Sequence, residues 1–458
     1  MRYVWGMVFL CWGQEPLSLT DTFTIDPRKR LRPYELTRKK EGWILVGYPA
    51  VGYDPLRSIG AAVALTLAYN GRKSDPLFAF QPYRYYFFAQ VGFYLRESRY
   101  ARAFIDMPWL GNRPYRLTLR FSWREETQGQ FWGIGEPFLG SYLATPLKEY
   151  EKKLLTPFLQ PSGQWGTRVA HHYFHTTQLQ GWLVGERIAC RGLLRLLGGA
   201  RWTTERATSL QGKSYTLTTS DGQKVSATQG PTLLDSAAQA YIPSPRGVAY
   251  ALGRWQHRLF AGGALVWDSR DFELNPNAGF LLEAGHESQL PTFSAHKSYV
   301  ALRQYHTLYQ SPSEKIQLTG AAHVLFSAVY GQSVFFTEFY TYSRWSEGRT
   351  INLLSGPSTV RAFRENRFVV PFTLLVQYEL RSRVAEVRIL RQHFIGGPVV
   401  FVDWASGRDK LAFPSVRRSI TGVGLGARVL WNMATVLRAD IAYGREGWQM
   451  HISTGHAF

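Results

Sequence analysis

"YRLTLRFSW", residues 115–123, alternates without interruption. Tyr115, Leu117, Leu119, Phe121 and Trp123 hold the odd positions, and Arg116, Thr118, Arg120 and Ser122 the even ones. Successive side chains leave a strand on opposite faces, so one face here is wholly apolar and the other basic and polar. The pattern recurs from Phe368 to Leu380, where Phe368, Val370, Phe372, Leu374, Val376, Tyr378 and Leu380 oppose Thr373, Gln377 and Glu379. It recurs again where Leu437, Ala439, Ile441 and Tyr443 oppose Arg438 and Asp440. In the last segment Trp448, Met450, Ile452 and Phe458 fall on the apolar side.

A soluble sandwich also alternates. Two features point instead to a bilayer. Several alternating runs reach the roughly 9–11 residues that cross a membrane at a tilt. Their polar faces carry Arg, Asp, Glu and Gln deep within the strands, as a wet lumen requires. Tyr115 and Trp123, at the ends of one apolar face, suit an interfacial girdle. At roughly 25 residues per strand and connection, the chain predicts an all-β transmembrane antiparallel barrel of about 16 strands over residues 42–458. Ile316 to Thr337 lacks Asp, Glu, Lys and Arg, yet it alternates and reads as strand rather than membrane helix. Long connections are expected at Gly140–Thr167 and Thr204–Arg246.

Lys and Arg number 53 against 33 Asp and Glu, a net charge of +20. That balance suits nucleic acid, anionic lipid or lipopolysaccharide phosphates. The start, "MRYVWGMVFLCWGQEP", has Arg2, an apolar run from Tyr3 to Trp12, and small residues at Cys11 and Gly13. It reads as a signal peptide over 1–13, too short to span as a helix. Cleavage there leaves Cys190 as the single cysteine, unable to form an internal disulfide. Residues 14–41 form a short basic periplasmic segment whose core, "DPRKRLRPYELTRKK" (26–40), reads by default as a solvated tail, with a plug or a partner-binding strip as alternatives. A soluble nucleic-acid binder lacks its aromatic–basic signature here, so no nucleic-acid partner is expected.

Chemical motifs are sparse. In "HHYFH", His171 and His175 share a strand face roughly 13 Å apart, with His172 opposite, which does not clasp a metal. Gly422, Gly424 and Gly426 in "GVGLGARV" miss the dinucleotide-loop spacing and lie on one face of a strand. Their missing side chains make room for something inside the barrel. In "DSRD", Asp268 and Asp271 flank Arg270 in a cluster that ties strand ends together. No catalytic site, metal or cofactor is expected.

Several stretches together resemble the BamA/TamA superfamily of outer-membrane assembly factors, the bacterial surface antigen family. "FWGIGEPFLG" (131–140) is similar to its aromatic–Gly–Ile–Gly segment. "LVWDSRDFELNPNAGF" (265–280) resembles its D-x-R-D then P-x-x-G signature, carried by Asp268, Arg270, Asp271, Pro276 and Gly279. "VRAF" (Val360, Arg361, Ala362, Phe363) resembles the motif of its sixth extracellular loop, with Ala362 replacing a glycine. "VFVD" supplies Phe401 and Asp403, and the terminal strand ends with Gly455 and Phe458, an assembly signal in the family. The resemblance implies that the sixth loop folds into the lumen, where Arg361 meets Asp403. Phe401 and Asp403 also point inward on the alternating register. A solvated loop face is expected for Arg364 and Glu365.

The family's N-terminal POTRA domains have no counterpart in residues 14–42. The implied function is non-catalytic outer-membrane protein insertion or polypeptide translocation in a Gram-negative outer membrane. Lipids, lipopolysaccharide and assembly proteins would be the partners of a monomeric barrel. A passive pore, secretion or surface barrel is the alternative.

Overall fold

The computed structural model describes residues 25–458 except 55–57, 96–97, 141–152, 243, 390–391, 413–417 and 432–434. The expected signal peptide lies outside the described residues.

Sixteen staves follow one another as an antiparallel meander. The first seven are β1 (Trp43–Asp54), β2 (Ser58–Tyr69), β3 (Tyr85–Tyr94), β4 (Ser98–Met107), β5 (Tyr115–Gln130), β6 (Tyr173–Ala189) and β7 (Leu194–Ser209). Next come β8 (Trp255–Asp268), β9 (Gly279–Leu290), β10 (Ala295–Gln310) and β11 (Gln317–Gly331). The stave β12 (Phe372–Arg383) continues past a break as Ala385–Ile389, both pieces pairing with β13 (Gln392–Arg408). Then follow β14 (Ser419–Trp431), β15 (Thr435–Gly444) and β16 (Gly447–Thr454). Each pairs with its sequence neighbours. The two end staves, β1 and β16, lie side by side and bring the sheet round into a barrel. Among the described residues no hydrogen-bonded ladder joins them. Pro49, in the middle of β1, has no N–H to donate, which fits an edge strand.

The polarity is inverted relative to a soluble protein. Glu283, Glu287, Lys297, Glu379 and Asp403 are at most 1% exposed, whereas Leu45, Val51 and Val63 are 64–70% exposed. An apolar outer belt around a charged interior is stable only with lipid outside.

Short turns alternate with longer loops at the two barrel ends. The connection β11–β12, residues 332–371, is the sixth loop and lies within the barrel. Its Phe336, Phe339, Trp345, Leu354, Val360 and Phe363 pack with the wall residues Phe174, Trp182 and Phe260 in one buried apolar cluster. At this level apolar loop side chains fill the lumen.

That packing corrects three sequence expectations. The β12 stave starts at Phe372, and Phe368 and Val370 are buried in the loop rather than facing lipid. Alternation cannot separate a lipid-facing apolar residue from one that faces an apolar plug. Phe458 is likewise buried, stacked on His323 at 5.1 Å between ring centroids, off the apolar outer face. The long connection expected from Thr204 begins only after Ser209. It carries the hairpin Ser214–Thr218/Lys224–Gln229, which joins Trp165–Thr167 and Phe158–Leu159 in a separate four-stranded sheet.

Candidate functional site

The sixth loop is fixed to the wall by two buried hubs of opposite sign. At the first, Arg361 donates from Nε and Nη2 to the two carboxylate oxygens of Asp403, each at 2.8 Å. Its backbone N–H donates to the same carboxylate at 3.1 Å. Nη1 reaches Glu379 at 2.5 Å and Asp440 at 3.2 Å, and the guanidinium lies 3.4 Å from the Phe401 ring centre. One loop cation thus meets carboxylates from β12, β13 and β15, in the fork geometry that only arginine offers. His451 of β16 hydrogen-bonds the Arg361 carbonyl at 2.9 Å.

Ala362 sits where the loop packs against the wall. Its methyl is fully buried against Gly422 of β14 and Gly444 of β15, where an added Cβ would come within 2.5 and 2.7 Å of it. The left-handed backbone conformations are taken instead by Gly356 (φ 135°) and Asn366 (φ 58°). Gly422 therefore makes room for the loop, as the glycine row implied. Gly424 and Gly426 instead accommodate the Phe401 ring and the Asp440 carboxylate. Val360 and Phe363 are fully buried, with Phe363 edge-on to Phe368 at 5.2 Å.

Sequence reasoning missed the second hub. Glu338, also in the sixth loop, accepts from Arg201 of β7 at 3.0 Å, Arg258 of β8 at 3.0 Å and Lys297 of β10 at 2.5 Å. It is the first charged residue after the uncharged Ile316–Thr337 run and sits among Phe335, Phe336, Phe339 and Tyr340. A lone carboxylate in so apolar a setting was the available signal. Further along the loop, Glu365 accepts from Asn352 at 3.2 Å and lies 3.8 Å from Arg124, so it does not form a merely solvated face.

The remaining predicted residues lie apart from Arg361. Asp268 and Arg270 form a bidentate pair with both contacts at 2.9 Å. Asp271 accepts from the backbone N–H groups of Phe272 and Asn277, also at 2.9 Å. Pro276 is buried and Gly279 takes φ 93°, closing the β8–β9 turn. Gly455 (φ 84°) turns the chain inward after β16. Phe458 then lies 5.1 Å from the Arg381 guanidinium, which in turn pairs with Glu379 of the first hub at 2.7 Å. His171 and His172 sit in a turn before β6 rather than on it, and His172 stacks on Trp132 at 3.7 Å.

The basic N-terminal segment is not a solvated tail. It lies as a strap across the turn end of the barrel. Lys29 meets Asp268 at 3.6 Å, Arg32 meets Asp271 at 3.3 Å, and Arg38 meets Glu386 at 2.8 Å. Leu31 is buried with Phe272, Ile395, Leu430 and Val436. The charge that read as solvation is complementary to carboxylates displayed by the turns. Cys190 lies beside the strap, and Cys11 lies outside the described residues.

Lys39 makes this strap sensitive to pH. Its ammonium donates to the carbonyls of Phe78 at 2.6 Å and Gln81 at 2.5 Å. Burial pushes its pKa down to about 7, with Asp75 opposing and Arg84 adding to the shift. A released strap keeps that proton to about pH 10. Between those values the released state binds more protons, so seating strengthens as pH rises and weakens toward pH 7. Proteolysis of the strap is expected to slow from pH 7 to pH 9, by up to about tenfold per unit, and to lose this dependence in Lys39→Met. A wild-type profile as flat as the variant's would refute the coupling.

These features define a class: a membrane β-barrel of sixteen staves, with its own sixth loop bolted in the lumen and a short edge-to-edge seam. Residues 21–84, which take in most of the strap and the first two staves, match a family model described as a domain of unknown function (DUF5982). Among solved structures, the chain is similar to BamA from Haemophilus ducreyi lacking POTRA domains 1–3. The identity is 10%, covering 91% of this chain and 70% of that one, with a TM-score of 0.46. It is similar to CdiB from Escherichia coli at 10% identity, 91% and 69% coverage and a TM-score of 0.46. CdiB from Acinetobacter baumannii gives 12%, 92% and 66%, and 0.43. No curated protein sequence matches.

Proposed function

We propose that this chain is an outer-membrane barrel that assists, without catalysis or cofactor, in membrane insertion or translocation of polypeptides in a Gram-negative cell. The observation that carries this reading is the seam. β1 and β16 touch without a ladder among the described residues, and Pro49 denies β1 one ladder donor. An unpaired strand edge in a membrane is a template for an incoming strand. The hubs keep the sixth loop fixed while such an edge opens. In this scheme partner proteins take part in client binding. A passive pore fits less well, because the loop and the strap both occupy its path.

Cysteines placed on β1 and β16 to staple the seam separate the readings. Stapling is expected to abolish client insertion in reconstituted liposomes, with recovery on reduction. Undiminished insertion by the stapled barrel would end the insertase reading.

A further inference from the structure

A cavity of about 870 Å³ remains in the lumen beside the seam. Its walls include the lumen-facing Tyr48, Arg102 and Arg120. They also include Val51 of β1 and Ile452 of β16, whose side chains are 70% and 42% exposed on the outer surface. The cavity therefore reaches from the charged interior to the lipid-facing edge of the two unladdered strands.

Glu126, Glu205, Glu338 and Glu365 also line the cavity, but Glu126 and Glu365 face Arg124, and Glu205 and Glu338 are held by Arg258 and Arg201. The Arg102 side chain stays exposed, and it donates to Gln90 Oε1 at 2.6 Å. Arg120 donates to the Glu347 carbonyl at 3.2 Å and lies over Phe104 at 4.3 Å, while its buried Nε finds no acceptor. Among the described residues neither arginine has a carboxylate within ion-pair distance. Arg349 of the sixth loop joins them, and the three repel one another. Arg349 is paired with Glu347, but that carboxylate is already shared with Arg303 and Arg344. Elsewhere in the lumen the buried arginines have carboxylate partners among the described residues, whereas Arg102 and Arg120 do not.

Three guanidiniums exceed what a carboxylate, with two oxygens and one charge, can satisfy. A phosphate monoester brings three peripheral oxygens and nearly two charges, and guanidinium forks match its geometry. The opening to the outer face adds a requirement for an apolar tail. We infer that the cavity binds the phosphate headgroup of an anionic lipid, with its acyl chains leaving through the seam between β1 and β16. This rests on the membrane-barrel reading but not on insertase activity.

The test titrates the full chain, in maltoside micelles, with dihexanoyl phosphatidic acid. The readout is the fluorescence of Trp123 and Trp431, which line the cavity. Phosphatidic acid is expected to saturate the signal and to bind at least about tenfold more tightly than dihexanoyl phosphatidylcholine. Arg102→Gln and Arg120→Gln should each weaken it about tenfold, with Arg99→Gln on the outer face as the unaffected control. Heat-modifiable gel mobility verifies that each variant is folded, and the headgroup comparison on the wild type needs no variant at all. Equal binding of the two lipids would overturn the proposal, as would unchanged affinity in both lumenal variants or an equal loss in Arg99→Gln. Inorganic phosphate competing as strongly as the lipid would assign a free anion and overturn the lipid assignment. A failed seam staple leaves this titration unaffected, and a failed titration leaves the staple result unaffected.

Discussion

Arg361→Ala is expected to destabilise the docked sixth loop by about 3–5 kcal/mol, the usual cost of leaving a buried charge without its partner. Asp403, Glu379 and Asp440 are at most 1% exposed, so none can turn to water. They do not lose equally. Glu379 keeps Arg381 at 2.7 Å and Arg428 at 2.9 Å, and Asp440 keeps Arg428 at 2.6 Å. Asp403 keeps the residue-361 backbone N–H and the Gln377 amide, both at 3.1 Å, but no cation among the described residues. The cost therefore concentrates on one carboxylate, and that dictates the cycle. Arg361→Ala with Asp403→Ala should be no worse than Arg361→Ala alone, because the second change removes the stranded charge. Arg361→Lys should fall between, holding the charge but losing the two-pronged contact. The readouts are protease cleavage within residues 356–371 and the temperature at which the folded gel mobility is lost. Additive defects in the double variant would sink the pairing.

How far the sequence foretold this site depends on which contrast each residue displayed. The staves were legible because lipid outside and charge inside give a period of two, as in Tyr115–Trp123 and around Phe401–Asp403. Phe368 and Val370 kept that period but served the opposite purpose, since the loop they belong to supplies its own apolar core. The strap misled for a different reason. A run such as "DPRKRLRPYELTRKK" has the composition of a solvated segment. The acids that hold it, Asp268, Asp271 and Glu386, lie between 242 and 360 residues further along the chain than its first residue, Asp26. Charge complementarity between distant segments leaves no local pattern. The same holds for Glu379 and Asp440, which looked like ordinary lumen residues until the loop brought Arg361 between them.

Glu338 carries the second large effect. Its replacement by alanine is expected to cost about 3–5 kcal/mol of loop docking, because it leaves buried cations behind. Arg201 retains Glu287 at 2.6 Å and Arg258 retains Glu205 at 2.6 Å. Lys297, 1% exposed, retains among the described residues the Thr341 carbonyl at 3.0 Å and its hydroxyl at 3.4 Å, and no carboxylate. The stranded group is thus a lysine, and Lys297→Met should recover part of the loss in the Glu338→Ala background. The two hubs share no partner: Glu338 is held by β7, β8 and β10, and Arg361 by β12, β13 and β15. Defects at independent sites add. The combined Glu338→Ala and Arg361→Ala barrel should then expose residues 332–371 to protease far beyond either single variant, and should raise ion conductance across a planar bilayer. If the combined variant is cleaved no faster than the worse single one, the hubs act as one unit rather than as two separate attachments of the loop.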